Sequence, residues 1–269
     1  DFMLINGSGG ICAYSTKGTC HYIQVGVEGF RNVLSSGISD LLWEASISLS
    51  EIQYSFFGLP AYGELIDSVP VLEGIVADVL KSSRFKCAND VEAGWAGSLA
   101  CQPGINLVGG TGAIGFGKDQ NGNTARAGGW GHFCGDEGSA YWLGKRLISL
   151  FGKQADGREE KTQLYEIVRD RFSLKRDFDL IGIIYEDIKM QREGIAGLAM
   201  LLYEAAEQGD PKAMEAYRDA AQEYSLIAKA LVARLAFEPE REILLSYSGG
   251  VFRAGEYILD PLRELVAKE

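Results

Sequence analysis

Three parts of this 269-residue chain carry residue types that could do chemistry. The first is the run Gly109-Gly110-Thr111-Gly112-Ala113-Ile114-Gly115-Phe116-Gly117. Glycines let backbone N–H groups come close to an anion, and the Thr111 hydroxyl adds a donor. Alone, such a run is more often just a tight turn. It is not a P-loop, because no Gly-Lys-Ser/Thr follows at the required spacing. It is not a dinucleotide fingerprint either, since Asn121-Gly122 signals a hairpin where that fingerprint needs a helix. The second part is Gly128-Gly129-Trp130-Gly131-His132-Phe133-Cys134-Gly135-Asp136-Glu137-Gly138-Ser139. Trp130 can pack on a sugar face. Asp136, at an expected helix start, can accept hydrogen bonds from hydroxyls or cap the helix. The third is Asp90, delivered by an expected strand at Phe85–Ala88. A carboxylate there can take a proton from an attacking hydroxyl, although spacing alone favours a helix cap.

These residues need elements to position them. Asp1–Gly7 reads as the second half of a strand entering a glycine turn, and Val25–Leu34 as an amphipathic helix burying Val27, Phe30 and Leu34. Tyr54–Gly58 reads as a buried strand, and Val71–Leu80 as a helix with Pro70 in its first turn. Ile105–Val108 is a strand feeding the first glycine run. Later segments are more helical. Asp136–Phe151 and Ile195–Ala206 each repeat apolar residues at helical spacing. Gly209-Asp210-Pro211 ends one helix and begins the next, which carries Met214, Tyr217, Ala221, Ile227 and Leu231. Ile243–Tyr247 is a strand leading into Ser248-Gly249-Gly250. Alternating strands and helices define an α/β protein, whose ligands sit beyond the carboxyl ends of strands. Asp90 and the first glycine run both meet that condition.

Composition narrows the function. Glycine supplies 34 of the 269 residues, near twice the usual share of about 7%. The net charge of -11 and the lack of a basic patch argue against a nucleic-acid partner. Apolar runs are too short to span a membrane. Five cysteines, an odd number, with no secretory signal point to a reducing compartment, the cytoplasm by default. Cys20, His21, His132 and Cys134 lack paired zinc-ligand spacing, so no metal site is assigned. Cys12, Cys87 and Cys101 read as small core residues. The charged run Arg158–Lys161 reads as a solvated loop, and His132 as a structural histidine.

The Gly-Thr-Gly hairpin and the Gly-Gly-Trp-Gly-His…Gly-Asp-Glu-Gly-Ser segment together closely resemble the N-acetylglucosamine kinases and the wider BadF/BadG/BcrA/BcrD-type ATPase family. That family lies within the superfamily of sugar kinases, actin and heat-shock chaperones. The resemblance covers nearly the whole chain, including Gln24-Val25-Gly26, Phe57-Gly58-Leu59-Pro60, Asn89–Ala93, Ala205–Pro211 and Ser248–Phe252. It implies two actin-like (ribonuclease H-like) domains, at 1–103 and 104–269, flanking an ATP and substrate cleft, the second more helical. It implies ATP and Mg2+ as cofactors and phosphoryl transfer to the hydroxyl of a hexosamine-type sugar. By the same resemblance, Asp90 is the catalytic aspartate. Gly110, Thr111 and Gly112 form the second phosphate loop, and Gly129, Trp130, Gly131 and Asp136 hold the sugar. Gly249 and Gly250 form the adenosine loop, and Ala205 lines the adenine pocket.

The chain departs from the family pattern in three places. An Asp-Gly-Gly-Gly-Thr phosphate loop is expected before Asp1, with its strand, and a last helix after Glu269. His21 stands where the family places a sugar-contacting Asn, and Ala113 stands where it places Ser. Two other functions are weighed. One is an ATPase activating a 2-hydroxyacyl-CoA dehydratase or benzoyl-CoA reductase through a cysteine-held iron–sulfur cluster, for which the cysteine pattern is missing. The other is a non-catalytic nucleotide or sugar sensor. A homodimer is left open.

Overall fold

The computed structural model describes residues 1–238 and 242–267, so the final two positions of the expected second domain lie outside it. The chain divides into two compact units, Asp1–Gly94 and Trp95–Glu269. No helix among the described residues is long and apolar enough to cross a membrane.

In the first unit, β1 (Phe2–Ile5) and β2 (Ile11–Ser15) form an antiparallel pair. Helix α1 (Tyr22–Ala45) follows. β3 (Ser55–Leu59), α2 (Val69–Leu80) and β4 (Phe85–Asn89) make a crossover unit in which β3 and β4 pair in parallel. Helix α3 (Asp90–Leu99) begins directly after β4, and the division between the units falls within it. Phe30, Leu34, Leu59, Leu72, Ile75, Val76 and Leu80 form one buried cluster. Full burial of each such side chain is worth about 1.5–3 kcal/mol.

In the second unit, β5 (Gly104–Gly109), β6 (Ala113–Lys118) and β7 (Thr124–Gly128) form an antiparallel meander. A helical block follows: α4 (Ala140–Ala155), α5 (Gln163–Phe172), α6 (Asp179–Gly182), α7 (Arg192–Gly197), α8 (Ala199–Glu207) and α9 (Pro211–Arg234). β8 (Leu244–Ser248) then adds to β5 in parallel, giving the order β7-β6-β5-β8, and α10 (Glu256–Val266) completes the described chain. The Asp119 carboxylate secures the β6–β7 turn by accepting from the N–H groups of Asn121 and Asn123, both at 2.9 Å.

Several expectations are corrected by packing. Helix α1 runs on to Ala45, past Ser35-Ser36-Gly37, because the Phe2 ring lies where a side chain at Gly37 would be. Its start is kinked at Gly26 (φ 71°), and Val27 faces out. β3 buries one face only, leaving Tyr54 and Phe56 exposed. The helix expected from Asp136 begins at Ala140, because Asp136 takes a left-handed φ of 60° that no α-helix accommodates. Ser139 caps it instead, accepting the Trp142 N–H at 3.2 Å. The helix expected at Ile195–Ala206 is two helices, α7 and α8, joined at Leu198 by tight i→i+3 bonds. Cys87 is buried, whereas Cys12 and Cys101 are exposed.

Gly115 and Gly117 also change meaning. A side chain at Gly115 would lie 2.4 Å from Ile227 Cγ2, and one at Gly117 would lie 2.7 Å from Leu235 Cδ1. These glycines let the α9 segment lie against β6, so their role is packing rather than anion binding. Small residues do the same on the helix, where Ala213, Ala216, Ala220 and Ala221 have no exposed surface.

Gly144 sets a similar contact between α4 and α7. An added Cβ there would sit 2.0 Å from the Ile195 carbonyl oxygen. Gly144→Ala is therefore expected to push α7 off α4. The expected loss is about 1–3 kcal/mol, read as a drop of several degrees in the thermal midpoint of the purified protein. An unchanged midpoint would show that α7 can shift without loss.

Candidate active site

In the second unit, three glycine turns meet at one end of the four-stranded sheet. β5 and β8 are parallel, with Val108 opposite Ser248. Their carboxyl ends therefore release Gly109-Gly110 and Gly249-Gly250 side by side. A Cβ on Gly249 would fall 2.4 Å from the Gly109 carbonyl oxygen. Gly249 has φ 102°, a region that favours glycine. The third turn follows β7, whose Gly128 pairs with Ile114 at the start of β6. Gly129 donates its N–H to the Ala113 carbonyl at 2.8 Å. Gly129 and Gly131, like Gly128, have positive φ.

The hairpin turn is small and tied down. The Gly110 N–H bonds the Gly112 carbonyl, and the Gly110 carbonyl accepts the first N–H of α4, from Ala140, both at 2.9 Å. Thr111 and Gly112 are half-buried at the tip. Tyr224 stands behind this junction, fully buried, with its ring 4.8 Å from that of Phe252. Its hydroxyl would meet a side chain at Gly109, and its ring one at Gly138. Burial alone drives its phenol far above the ordinary value, and the nearby Asp136 carboxylate adds to the rise.

The residues expected to hold the sugar divide. Trp130 is 78% exposed and Phe133 95% exposed. His132 is exposed and packs its ring edge-on against Tyr141 at 4.9 Å. Asp136 lies at the other extreme, 3% exposed. Its Oδ1 accepts the Ala113 N–H at 3.3 Å, and its Oδ2 accepts from Arg192 Nη2 at 2.8 Å. Much of its accepting capacity is spent inside the protein. Ala205 is fully buried on α8, and its carbonyl takes the N–H groups of Gln208 and Asp210. Arg192 was not singled out from the sequence. An arginine on an otherwise ordinary helical stretch carries no signal until the fold sets it beside Asp136.

In the first unit, Asp90 opens α3 immediately after β4. Gly58 on the neighbouring strand makes room for it, since a Cβ there would lie 2.8 Å from Ala93 Cβ and 3.3 Å from Asp90 Cα. The Asn89 side chain shares the capping, accepting the Val91 N–H at 3.3 Å and donating to the Tyr62 carbonyl at 3.1 Å. The Asp90 carboxyl keeps an exposed face but is recessed enough for desolvation to lift its pKa above the ordinary aspartate range. The N–H groups of Val91 and Asp90 oppose that rise, Glu64 adds to it, and His21 weakly opposes it. The electrostatic link to His21 brings the two sequence-predicted residues of this unit into one neighbourhood. His21 precedes α1, half-buried, and its Nδ1 is buried without a hydrogen-bond partner. Burial likewise raises the Cys20 thiol, and the Asp90 charge contributes.

An N-acetylmuramic acid/N-acetylglucosamine kinase of Clostridium acetobutylicum is 32% identical over 239 residues, 89% of this chain and 77% of that protein. An N-acetyl-D-glucosamine kinase of Dictyostelium discoideum is 24% identical over 257 residues, 91% of this chain and 80% of its own length. A crystal structure of a Chromobacterium violaceum protein described as an N-acetylglucosamine kinase superposes with a TM-score of 0.72 at 25% identity. It matches 97% of this chain and 87% of its own. The α/β architecture is thus that of a sugar kinase. The model of the BadF/BadG/BcrA/BcrD ATPase family matches residues 2–269, and the chain belongs to that family.

Proposed function

We propose that this protein transfers the terminal phosphoryl group of ATP to a hydroxyl of an N-acetylated hexosamine, as its kinase relatives are named for doing. The observation that carries the reading is the junction of Gly109 with Gly249, backbone against backbone, at the carboxyl ends of two adjacent parallel strands. A polyphosphate needs such a surface, where N–H groups can approach its oxygens without intervening side chains.

In this reading the second unit holds the nucleotide. Gly110, Thr111 and Gly112 face the phosphates, and Gly249 and Gly250 face the adenosine. Ala205 backs the adenine side from within the core. ATP arrives as its magnesium complex, and the ion offsets charge on the transferred group. Trp130, with Gly129 and Gly131, offers an exposed face for the sugar ring. Asp136 holds that loop to the phosphate turn.

The first unit supplies the base. Asp90 accepts the proton from the attacking hydroxyl as the oxygen–phosphorus bond forms and ADP leaves. A carboxylate lifted above its ordinary pKa is a stronger base in its ionised form. His21, beside it, contacts the sugar.

Three outcomes test this. ADP release in a coupled assay should depend on added N-acetylglucosamine or N-acetylmuramic acid. Asp90→Asn should lower kcat by about 10²–10⁴-fold, and unchanged turnover in that variant would remove Asp90 from the mechanism. Second, the acid limb of the wild-type rate profile should lie above the ordinary aspartate pKa, since Asp90 must be ionised to work. Third, stability should respond with the opposite sign to a salt-bridged aspartate. A raised folded pKa means that charging Asp90 opposes folding as pH rises through that value. Asp90→Asn should therefore match the wild type in thermal midpoint near pH 4 and exceed it at pH 7. A variant less stable at pH 7 would show that the charge is held favourably.

A further inference from the structure

Arg192 is the one cation set directly against the phosphate turn among the residues described above. Its Nη2 donates to Asp136 at 2.8 Å and lies 2.6 Å from where a side chain on Gly112 would begin. The contact is held by an unusual approach. Lys189 and Met190 are consecutive left-handed residues, with φ of 53° and 50°. They follow a π-helical turn at Ile183–Asp187 and lead into α7. Such conformations are costly for residues with side chains and persist where the surroundings demand them. Asp136, at the other end of the pair, is left-handed too. Helix α7 is seated on α4 through Gly144, and Gly194 makes room for Ile188. One end of the ion pair, Asp136, is thus itself left-handed, and the other, Arg192, opens α7 just after two left-handed residues, beside Gly112 and Ala113.

The physical reason is charge. Asp136 is almost wholly buried and bonds the Ala113 N–H from behind the turn. A buried carboxylate needs a partner. Left unpaired there, it would set a negative charge against any polyphosphate on the turn.

We propose that Arg192 is a positioning residue for nucleotide binding, acting by neutralising Asp136 so that the Thr111–Gly112 tip of the turn can accept an anion. The inference rests on reading that turn as the phosphate site. Its chemistry is electrostatic and pairwise, so the missing charge can be repaired from either side.

The test is calorimetric titration with magnesium ADP, which does not depend on which sugar is phosphorylated. Arg192→Gln should weaken ADP binding at least about tenfold, with a loss that shrinks at high salt. The double variant Arg192→Gln with Asp136→Asn removes both charges and should return ADP affinity to within about threefold of wild type. Arg192→Lys, which keeps the charge, should also stay within about threefold. The double variant also guards against a misfolded single variant, because it leaves no unpaired buried charge. ADP affinity unchanged in Arg192→Gln, or a double variant no better than Arg192→Gln, overturns the inference while leaving the kinase reading intact. A wild-type protein that binds no ADP overturns both.

Discussion

The second unit depends on one close approach, the backbone of Gly249 against the backbone of Gly109. Two parallel strands that pair in register must release their chains at the same end of the sheet. Whatever follows them is forced together. With any Cβ at Gly249, the two turns would separate, and the floor between them would fill with side chains. The glycines keep that floor as bare backbone. Tyr224 and Phe252 then fill the volume beneath it, and α9 is held against β6 because Gly115 yields space to Ile227 and Leu231. A continuous chain of contacts connects the hydrophobic core to the rim of the site.

Charge is handled differently in the two units. In the second, a buried aspartate in left-handed backbone is matched by an arginine that opens α7. In the first, desolvation holds the Asp90 proton more tightly, and the nearby His21 opposes this only weakly. A paired carboxylate is a poor base and a good brace. An unpaired one is the reverse. The same residue type meets two environments because the fold decides how each aspartate is buried and what stands beside it.

Much of this was legible in the sequence. The β6–β7 hairpin follows from its Asn121-Gly122 turn signal, and the β4–Asp90 junction from a short apolar run ending in Asn-Asp. Pro70 and Asp210-Pro211 marked true helix starts. These signals are local: they act through φ preference, capping and alternation, which involve residues a few positions apart. The family resemblance, carried by the same glycine runs, also reached the fold class and the phosphoryl-transfer reading.

Other features had no local signal. Whether Gly117 serves an anion or the neighbouring Leu235 depends on a side chain far along the chain. Whether Asp136 starts a helix or braces a turn depends on Arg192, 56 positions away. Helix α1 passes through Ser35-Ser36-Gly37 because Phe2 covers Gly37. Sequence alone determined where the backbone can turn and which residue types could bind or transfer a proton. Only the tertiary structure decided which glycines are bare floor and which are packing space, and which aspartate is paired. Burial and pairing are properties of neighbours in space, and the chain brings those neighbours together only when it folds.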